Sequence, residues 1–307
     1  MLSPASWTYG AVTRWKRTHA SPFRAKAKVV CVGNLTSGGT GKTPIAIAVA
    51  TLLRARRLHT TMLSRGYGGR LGRPTIVDAL AHTAADVGDE ALLLAAAGRT
   101  IVARNRRRGA ELADSLSTDV IVMDDGYQNF TLSKDLSILV VDAETGFGNG
   151  RVLPAGPLRE PVGEGLARAD AVVLVGEGWP ALPGFAGPVF RVRIVPRGGS
   201  ELSGRRLVAF AGIGRPEKFF ATLRTLGAEL VASRVFPDHH AFRPREILQL
   251  KKKAKNEDAM LITTEKDYAR LSQAQRDGIR LLTVRAQFEA PHDFESFLCN
   301  ALHLAPA

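Results

Sequence analysis

The chain has 307 residues, of which 45% are hydrophobic and 23% charged; this balance excludes a disordered chain or a fibrous repeat, and the length suggests about two domains. Its two cysteines, Cys31 and Cys299, are too few for a disulfide framework or a metal cluster, which favours a reducing compartment. The 42 Lys and Arg residues outnumber the 29 Asp and Glu residues and give a net charge of +13, so we expect an anionic partner.

Residues 1–28 are predicted to be a basic amphipathic segment that associates with an anionic membrane surface. The segment has no acidic residue and mixes cations with apolar and aromatic side chains, namely Trp7, Tyr9, Val12, Arg14, Trp15, Lys16, Arg17, Arg24, Lys26 and Lys28. Such a mixture suits a helix lying in a bilayer interface. The alternative is a solvated helix packed on the neighbouring domain. No apolar run of about 18 residues occurs in the chain, which argues against a conventional membrane-spanning helix.

Residues 29–190 alternate short apolar runs with helical patterns. The predicted strands are Lys28–Val32, Thr60–Leu63, Thr100–Ala103, Val120–Met123, Leu136–Val141 and Ala171–Val175. Thr43–Leu53 is predicted to be a helix, with Pro44 in its first turn. Apolar runs joined by helices are typical of strands that are buried on both faces of a parallel sheet. We therefore predict an α/β fold with a P-loop NTPase-like parallel sheet flanked by helices.

Glycine and proline are frequent between positions 176 and 205, and we predict a hinge or linker at residues 191–205. Phe190–Val195 is expected to be an extended strand of this hinge. The alternation then resumes with predicted strands and helices at Arg206–Ala211, Pro216–Leu226, Glu229–Phe236, from Pro244, Ala259–Thr263 and Arg280–Val284. Residues 206–307 are therefore predicted to form a second, smaller α/β domain.

The segment from Gly33 to Pro44, GNLTSGGTGKTP, lies between a predicted strand and a predicted helix. A glycine-rich turn in this position allows backbone N–H groups to converge on phosphate oxygens at the positive end of the helix. In such a loop Lys42 bridges the β- and γ-phosphates and the Thr43 hydroxyl ligates Mg²⁺. The pattern G-x-x-x-x-G-K-[ST] is not met literally, because Thr36 stands at its first glycine. The sequence nevertheless predicts a nucleotide-phosphate site.

Acidic residues end two predicted strands of the same domain. VIVMDD ends in Asp124 and Asp125, and SILVVD ends in Asp142. A strand that ends in a carboxylate beside the phosphate loop is the usual second half of a nucleotide site. Adjacent residues of a strand point to opposite faces, so Asp124 and Asp125 are expected to differ in role. One of them can face Mg²⁺ or the nucleophile while the other pairs with a cation.

The sequence resembles the tetraacyldisaccharide 4′-kinase family of the lipid A pathway of Gram-negative bacteria, and the likeness covers nearly the whole chain. Its motifs are SWTYG (6–10), GNLTSGGTGKTP (33–44), LSRGYGG (63–69), GDEALLLA (88–95), DDGYQ (124–128), GFGNGRVLPAGPLREP (146–161), AFAGIGRPEKFF (209–220), PDHH (237–240) and TTEKD (263–267). The resemblance implies transfer of the ATP γ-phosphate to the 4′-hydroxyl of a tetraacylated glucosamine disaccharide 1-phosphate. It places the enzyme at the cytoplasmic face of the inner membrane, as a peripheral or monotopic protein.

The same resemblance implies roles for individual residues. The ATP phosphates would be bound by Gly38, Gly39, Thr40, Gly41, Lys42 and Thr43, with Thr36 in the same loop. Asp124 would be the base for the sugar hydroxyl, and His239 would reach from the second domain to orient or tune it.

Tyr67 would lie near the reacting phosphates, and Arg159 would neutralise their charge. Glu160 and Asp142, with Asp125 as a further candidate, would hold Mg²⁺. The family usually has His where this chain has Asn129, so the role of Asn129 is open.

Two other classes of protein share part of this pattern. P-loop ATPase switches of the partitioning kind have a similar loop, but they carry a lysine just before the paired glycines, where this chain has Ser37. A nucleic-acid-binding ATPase is favoured only by the net charge, and the aromatic-rich RNA-binding signatures are absent. We therefore expect a lipid substrate and a membrane surface as partners, with no nucleic acid and no obligate protein partner.

Overall fold

The structure is a computed structural model that describes residues 3–304 of the chain, with side chains from Ser6 onwards. Its first elements, in chain order, are α1 (Ser3–Thr18), β1 (Lys28–Gly33), α2 (Lys42–Ala55), β2 (Thr60–Ser64), β3 (Thr75–Ile76), α3 (Ala84–Val87), α4 (Asp89–Ala97), β4 (Thr100–Val102), α5 (Arg106–Ser115), β5 (Val120–Asp124), β6 (Leu136–Asp142), α6 (Val162–Leu166), β7 (Ala171–Val175) and β8 (Val189–Pro196). A short 3₁₀ turn, Ser200–Leu202, leads to β9 (Arg206–Ala211), α7 (Pro216–Thr225), β10 (Glu229–Val235), α8 (Pro244–Asn256), β11 (Met260–Thr264), α9 (Glu265–Arg270), α10 (Gln273–Arg276), β12 (Ile279–Leu282), β13 (Val284–Phe288) and α11 (Pro291–Ala301).

The strands form two sheets. The main sheet has the order β13-β8-β7-β6-β1-β5-β2-β4-β3 and is parallel except at its two edges, where β13 and β3 run antiparallel to their neighbours. The second sheet, β10-β9-β11-β12, is parallel throughout. We call the main sheet with its helices the first lobe, and residues 200–282 the second lobe. The predicted fold class, a parallel α/β sheet with a second smaller α/β unit, is confirmed.

Helices cover both faces of the main sheet because its inner strands are apolar on both sides. All residues of β5, β6 and β7 are buried. On one face β1 and its neighbours pack against α2 through Ile45, Val49 and Leu53. On the other face they pack against a separate cluster that includes Ala110 and Leu166. Burial on both faces fixes β1 at the centre of the sheet, so the loop that follows it emerges at the carboxyl edge.

The end of the chain differs from the sequence prediction. Phe190–Val195, expected to be an extended strand of the hinge, lies within β8 (Val189–Pro196), a strand of the main sheet that pairs in parallel with β7. The predicted strand Arg280–Val284 is two strands, because β12 belongs to the second sheet while β13 returns to pair antiparallel with β8. Helix α11 follows it and packs Phe294 and Leu298 into the core of the first lobe. The predicted second domain, residues 206–307, therefore includes two elements, β13 and α11, that belong to the first lobe.

Helix α1 lies against the first lobe with its aromatic side chains exposed. Arg14 and Arg17 both pair with Glu164 of α6, and Ala155 N donates to Ser6 Oγ at 3.1 Å. Trp7 is 81% exposed and Trp15 60%. Within residues 3–304 no helix is both long and apolar enough to cross a bilayer. The helix is therefore packed on the neighbouring lobe through Arg14 and Arg17, as the alternative prediction has it. It also presents the indole rings of Trp7 and Trp15 to the solvent, as a membrane-associating helix would.

Candidate active site

The phosphate loop, residues 34–41, joins β1 to α2 at the centre of the main sheet. Gly33 ends β1 against Tyr127, where a Cβ would lie 2.6 Å from the Tyr127 Cβ, so no larger residue fits without a shift. Gly41, directly before α2, has φ 82°, a left-handed conformation that favours glycine. The Asn34 amide donates to the carbonyl of Thr36 at 2.7 Å and to the hydroxyl of Thr40 at 3.0 Å, which braces the loop from inside.

Lys42 and Arg159 converge on Asp125. Arg159 donates to Asp125 Oδ1 at 2.8 Å, and Lys42 Nζ lies 3.7 Å from the same oxygen. Burial would raise the pKa of Asp125, but Lys42 and Arg159 prevail and hold it below its ordinary value. Two cations beside the phosphate loop therefore share one carboxylate, and both have charge available for an anionic ligand that enters the loop.

Asp124, the last residue of β5, is the most perturbed carboxylate of the site. Its side chain is buried; Oδ2 accepts a hydrogen bond from Thr43 at 3.0 Å, while Oδ1 has no hydrogen-bond partner. Burial, followed by the nearby charges of Glu90 and Asp125, raises its pKa to about 7. A carboxylate with one free oxygen and a pKa near neutrality can accept a proton from a ligand at physiological pH.

Three carboxylates expected to hold Mg²⁺ are paired with cations in this structure. Arg159 and Lys42 contact Asp125, as above. Arg168 donates to Glu160 Oε1 at 2.8 Å, and its other terminal nitrogen lies 2.8 Å from Glu160 Oε2. Asp142 Oδ2 lies 2.6 Å from Arg215, and its Oδ1 is held by the backbone and hydroxyl of Thr145.

Among the described residues no group of three or more His, Cys, Asp or Glu side chains is arranged to hold a metal ion. The Thr43 hydroxyl is the oxygen of this region that fits Mg²⁺, since hydroxyl and carboxylate oxygens are the ligands that this ion prefers, and it is hydrogen-bonded to Asp124, whose Oδ1 has no partner. The structure thus brings Thr43 and Asp124 together but leaves Glu160 and Asp142 on other partners.

His239 and Tyr67 meet in the cleft between the lobes. Their ring centroids are 5.5 Å apart in an edge-on arrangement, and Tyr67 is 66% exposed. His239 Nδ1 lies 3.2 Å from Asp89 Oδ2, and its Nε2 lies 3.3 Å from Lys266 Nζ. The resemblance implies that His239 orients or tunes Asp124. In this structure His239 lies beside Asp89 instead, while Asp124 Oδ2 is bonded to Thr43 and Oδ1 has no partner.

Several charged residues of this cleft were missed by the sequence reasoning. Asp89 and Glu90 lie in GDEALLLA, Arg215 in AFAGIGRPEKFF and Lys266 in TTEKD, while Arg270 lies three residues beyond TTEKD; the sequence assigns a role to none of them. Asp89 and Glu90 begin α4 in the first lobe, whereas the three cations belong to the second. The available signal is a charged residue directly after a glycine, as in Gly88-Asp89 and Gly214-Arg215, but only the fold shows which charges face each other.

The ion pairs between the lobes all have the same polarity in the part of the chain that the structure describes. The second lobe contributes the cations and the first lobe contributes the carboxylates, in the pairs Arg215–Asp142, Lys218–Asp142, Lys218–Glu144, Lys266–Glu90 and Arg270–Asp89. The His239 ring of the second lobe also lies beside Asp89. The second lobe therefore presents a cationic face to the phosphate loop.

Asn129 lies in the turn after β5 rather than among these charges. Its backbone N–H donates to Gly126 O at 2.9 Å, and its side-chain oxygen accepts from Thr131 at 3.2 Å. These bonds support a structural role in the turn.

Comparison with known proteins gives one consistent result. A family model described as tetraacyldisaccharide-1-P 4′-kinase matches residues 1–303. The tetraacyldisaccharide 4′-kinase of Rhodospirillum centenum is 49% identical, over 98% of this chain and 91% of its own length. That of Methylorubrum extorquens is 51% identical, over 94% of this chain and 90% of its own. The crystal structure of the Aquifex aeolicus protein LpxK, described as an "apo" form in complex with ATP, is 27% identical with a TM-score of 0.80, covering 98% of both chains.

Proposed function

This chain belongs to the tetraacyldisaccharide-1-P 4′-kinase family, and from that premise we propose a role for each residue of its site. The chain is an ATP-dependent kinase that transfers the γ-phosphate to the 4′-hydroxyl of tetraacyldisaccharide 1-phosphate in lipid A biosynthesis. The observation that carries the assignment of residues is the hydrogen bond from Thr43 to Asp124. It joins the end of the phosphate loop to a buried carboxylate with one oxygen still free.

The phosphate loop binds the ATP tail in this proposal. Residues Thr36 and Gly38–Thr43 line the loop, and its backbone N–H groups together with the start of α2 provide the positive end that phosphate requires. Lys42 and Arg159 share Asp125 in this structure, and in this proposal both turn to the phosphates. Phosphoryl transfer needs mainly charge neutralisation and in-line positioning, and these two cations supply the first. Tyr67 lies on the exposed side of the cleft, beside His239.

Asp124 accepts the proton of the sugar hydroxyl in this proposal. The free Oδ1 is the oxygen for that proton, because Oδ2 is already bonded to Thr43. A pKa of about 7 is suitable for a base that works near neutral pH, and a positioned base contributes typically about 10²–10⁴-fold to such a reaction. His239 supports the reaction from the second lobe, so closure of the lobes becomes a condition of transfer.

Mg²⁺ supplies charge neutralisation and alignment of the phosphates when it is bound. We assign the Thr43 hydroxyl as its first protein ligand, and Asp125, Asp142 and Glu160 as carboxylates that bind it directly or through water. Each of those three carboxylates is now paired with a cation, so it must exchange that partner before it can approach the ion.

The enzyme works at a membrane surface in this proposal, without an obligate protein partner. Its substrate is an anionic lipid, and α1 carries exposed Trp7, Tyr9 and Trp15 next to a group of cations. Indole rings at the headgroup level and cations on anionic lipid give partial, salt-sensitive attachment. We place the enzyme at the cytoplasmic face of the inner membrane, where ATP and the growing lipid meet.

The test is a transfer assay with γ-labelled ATP, Mg²⁺ and detergent-dispersed tetraacyldisaccharide 1-phosphate. Label is expected on the lipid for the wild-type protein, and Asp124→Ala should reduce the rate by about 10²–10⁴-fold while ATP affinity stays within a few-fold. Glu111→Gln is a suitable control, because Glu111 pairs with Arg107 on the exposed face of α5. Unchanged turnover in Asp124→Ala would remove Asp124 from the base role, and free phosphate whose release depends on DNA would instead support an ATPase.

A further inference from the structure

A cavity of the second lobe has no part in the proposed mechanism. It has a volume of about 660 Å³ and lies between the second half of α8 and the first residues of β11 and β12. The loops that meet the first lobe, by contrast, follow the last residues of β9, β10 and β11. Because the second sheet is parallel, the two ends of its strands lie at opposite edges. The cavity, which we call the α8 groove, is therefore on the side of the second lobe that faces away from the phosphate loop.

The α8 groove has a cationic rim and an apolar floor. The floor is formed by the buried side chains of Ala254, Leu261 and Ile279. The charged lining residues are three cations and one carboxylate, namely Lys251, Lys255, Arg280 and Asp277. Among the residues that the structure describes, none of the three cations has a side-chain hydrogen bond or an ion pair. The groove thus offers unpaired positive charge beside an apolar surface, and its volume is within the range of ligand sites, about 300–1,000 Å³.

The outer face of α8 has the same character as the rim of the groove. The helix packs on the second sheet through Ile247 and Leu250, so the opposite face of the helix points to the solvent. On that face Arg245, Lys252 and Leu248 are all exposed, Leu248 to 67%. Arg245 is in the first turn of the helix, where a cation is unfavourable for the helix dipole, so helix stability does not explain the charge of this face. An exposed leucine among cations instead suits contact with a surface that is anionic and partly apolar.

The ligand that matches this surface is the headgroup region of an anionic lipid. Lysine is a compact point charge, and clusters of lysine and arginine on a helix attract acidic headgroups. Sites for single-stranded nucleic acid use aromatic side chains for base stacking, and no lining residue of the groove is aromatic. The proposed substrate is itself an anionic lipid, so acidic headgroups surround the enzyme where it works.

We propose that the α8 groove binds the phosphate-bearing headgroup of an anionic phospholipid, with the cations on the phosphate and the carbon skeleton on the apolar floor. The second lobe then has its own contact with the membrane, separate from that of α1 on the first lobe. The inference rests on the membrane location in the proposed function. It assigns the groove no part in phosphoryl transfer.

The first test is sedimentation with vesicles of phosphatidylcholine, with and without phosphatidylglycerol, in the absence of ATP and of the lipid substrate. The parent protein carries Trp7→Ala and Trp15→Ala, so that α1 contributes less to binding. The groove variant adds Lys251→Gln, Lys255→Gln and Arg280→Gln. Its affinity for phosphatidylglycerol vesicles should be lower by about 10-fold or more, with the same weak binding to phosphatidylcholine as the parent. Added salt should reduce the difference, because it screens exposed charges.

The matched control removes the same charge elsewhere, by Arg99→Gln, Arg224→Gln and Arg285→Gln. These residues are exposed and line no part of the groove, and Arg224 belongs to α7, which packs on the other face of the second sheet. The control should bind phosphatidylglycerol vesicles nearly as well as the parent. An equal loss of binding in the control and the groove variant would mean that only the net charge matters, and it would overturn the proposal.

The second test places a reporter on the outer face of α8. Leu248→Cys is labelled with an environment-sensitive fluorophore, and labelling is selective because Cys31 and Cys299 are buried. The emission is expected to move to shorter wavelength on phosphatidylglycerol vesicles and to stay unchanged on phosphatidylcholine. The same label at Arg224→Cys should not respond. A vesicle-bound protein whose label at position 248 does not respond either would overturn the proposal.

Two further measurements separate this proposal from its alternatives. Transfer to detergent-dispersed substrate should be equal in the groove variant and its parent, and a lower rate would contradict the proposal by placing the groove in catalysis. A protein without kinase activity would refute the proposed function, while the vesicle experiment would still decide the role of the groove. Labelled single-stranded RNA is the competing polyanion: RNA binding that is lost in the groove variant, together with unchanged vesicle binding, would overturn the proposal in favour of nucleic acid.

Discussion

Replacing Asp124 by Asn should make the nucleotide-free protein more stable at alkaline pH. The same substitution should abolish most of the kinase activity. The Asp124 pKa rises from its ordinary 3.8 to about 7 in the folded protein because of burial first, and then Glu90 and Asp125. The folded state therefore binds the proton more tightly than the unfolded chain. The free energy of unfolding must then fall as the pH rises from about 4 to about 7, and stay lowered above that.

The magnitude follows from the same two pKa values. At about 1.4 kcal/mol for each tenfold difference in acidity, the raised pKa of Asp124 costs the folded wild type about 4 kcal/mol at pH 8.5 and about 2 kcal/mol at pH 5. Asn does not ionise, so the stability of Asp124→Asn relative to wild type should grow by roughly 2 kcal/mol between these pH values. For a chain of this size that is an increase of about 5 °C in the difference between the two Tm values.

The assay is thermal unfolding of both proteins, followed by circular dichroism in EDTA at several pH values from 5 to 8.5, so that no metal ion neutralises the carboxylate. Comparing the two proteins at each pH cancels the groups that titrate independently of Asp124. Asp125→Asn is the matched control with the opposite sign, because Lys42 and Arg159 hold the Asp125 pKa below its ordinary value against the effect of burial. A Tm difference for Asp124→Asn that is constant with pH, or that favours the wild type at pH 8.5, would refute the reasoning.

Three further predictions concern ligand binding, catalysis and the membrane. Lys42→Ala should weaken ATP binding by about 10-fold or more in calorimetry with little change in Tm, since Lys42 makes only a 3.7 Å ion pair; equal affinity would exclude it from the phosphate site. His239→Ala should lower kcat less than Asp124→Ala, and the double variant should be close to Asp124→Ala; multiplied losses would mean that the two side chains act independently. Joint replacement of Trp7 and Trp15 by Ala should reduce sedimentation with anionic vesicles several-fold without affecting transfer to detergent-dispersed substrate, and unaltered sedimentation would exclude α1 as the membrane contact.

The sequence predicts the central features of the site because they are local. Gly33 to Thr43 form a strand, a loop and a helix start in uninterrupted order, and the run of apolar residues before Asp124 is enough to place a carboxylate at a strand end. Parallel strands expose their carboxyl ends at one edge, so the proximity of the loop and Asp124 follows from the fold class. The 3.0 Å hydrogen bond between Thr43 and Asp124 agrees with that expectation.

The pairing of strands near the chain end could not be read in the same way. Val189–Pro196 has a glycine- and proline-rich environment that also suits a linker, and Val284–Phe288 directly follows a strand of the other sheet with one residue between them. The sequence of each segment predicts a strand, but it does not predict with which other strand that strand pairs. That choice depends on which apolar surface remains uncovered when the main sheet is assembled, here the outer edge beside β7 and the core that receives Phe294.

What the sequence determined by itself is therefore the chemistry that is encoded within short stretches of chain: a phosphate loop, a strand that ends in Asp124 and Asp125, and an aromatic, basic N-terminal helix. Only the tertiary structure decided which charges meet, because ion pairs such as Asp89 with Arg270 join residues about 180 positions apart. Neither residue carries a local signal of the other. The same holds for His239, whose carboxylate partner is fixed by the approach of the second lobe to α4 and not by the sequence around PDHH.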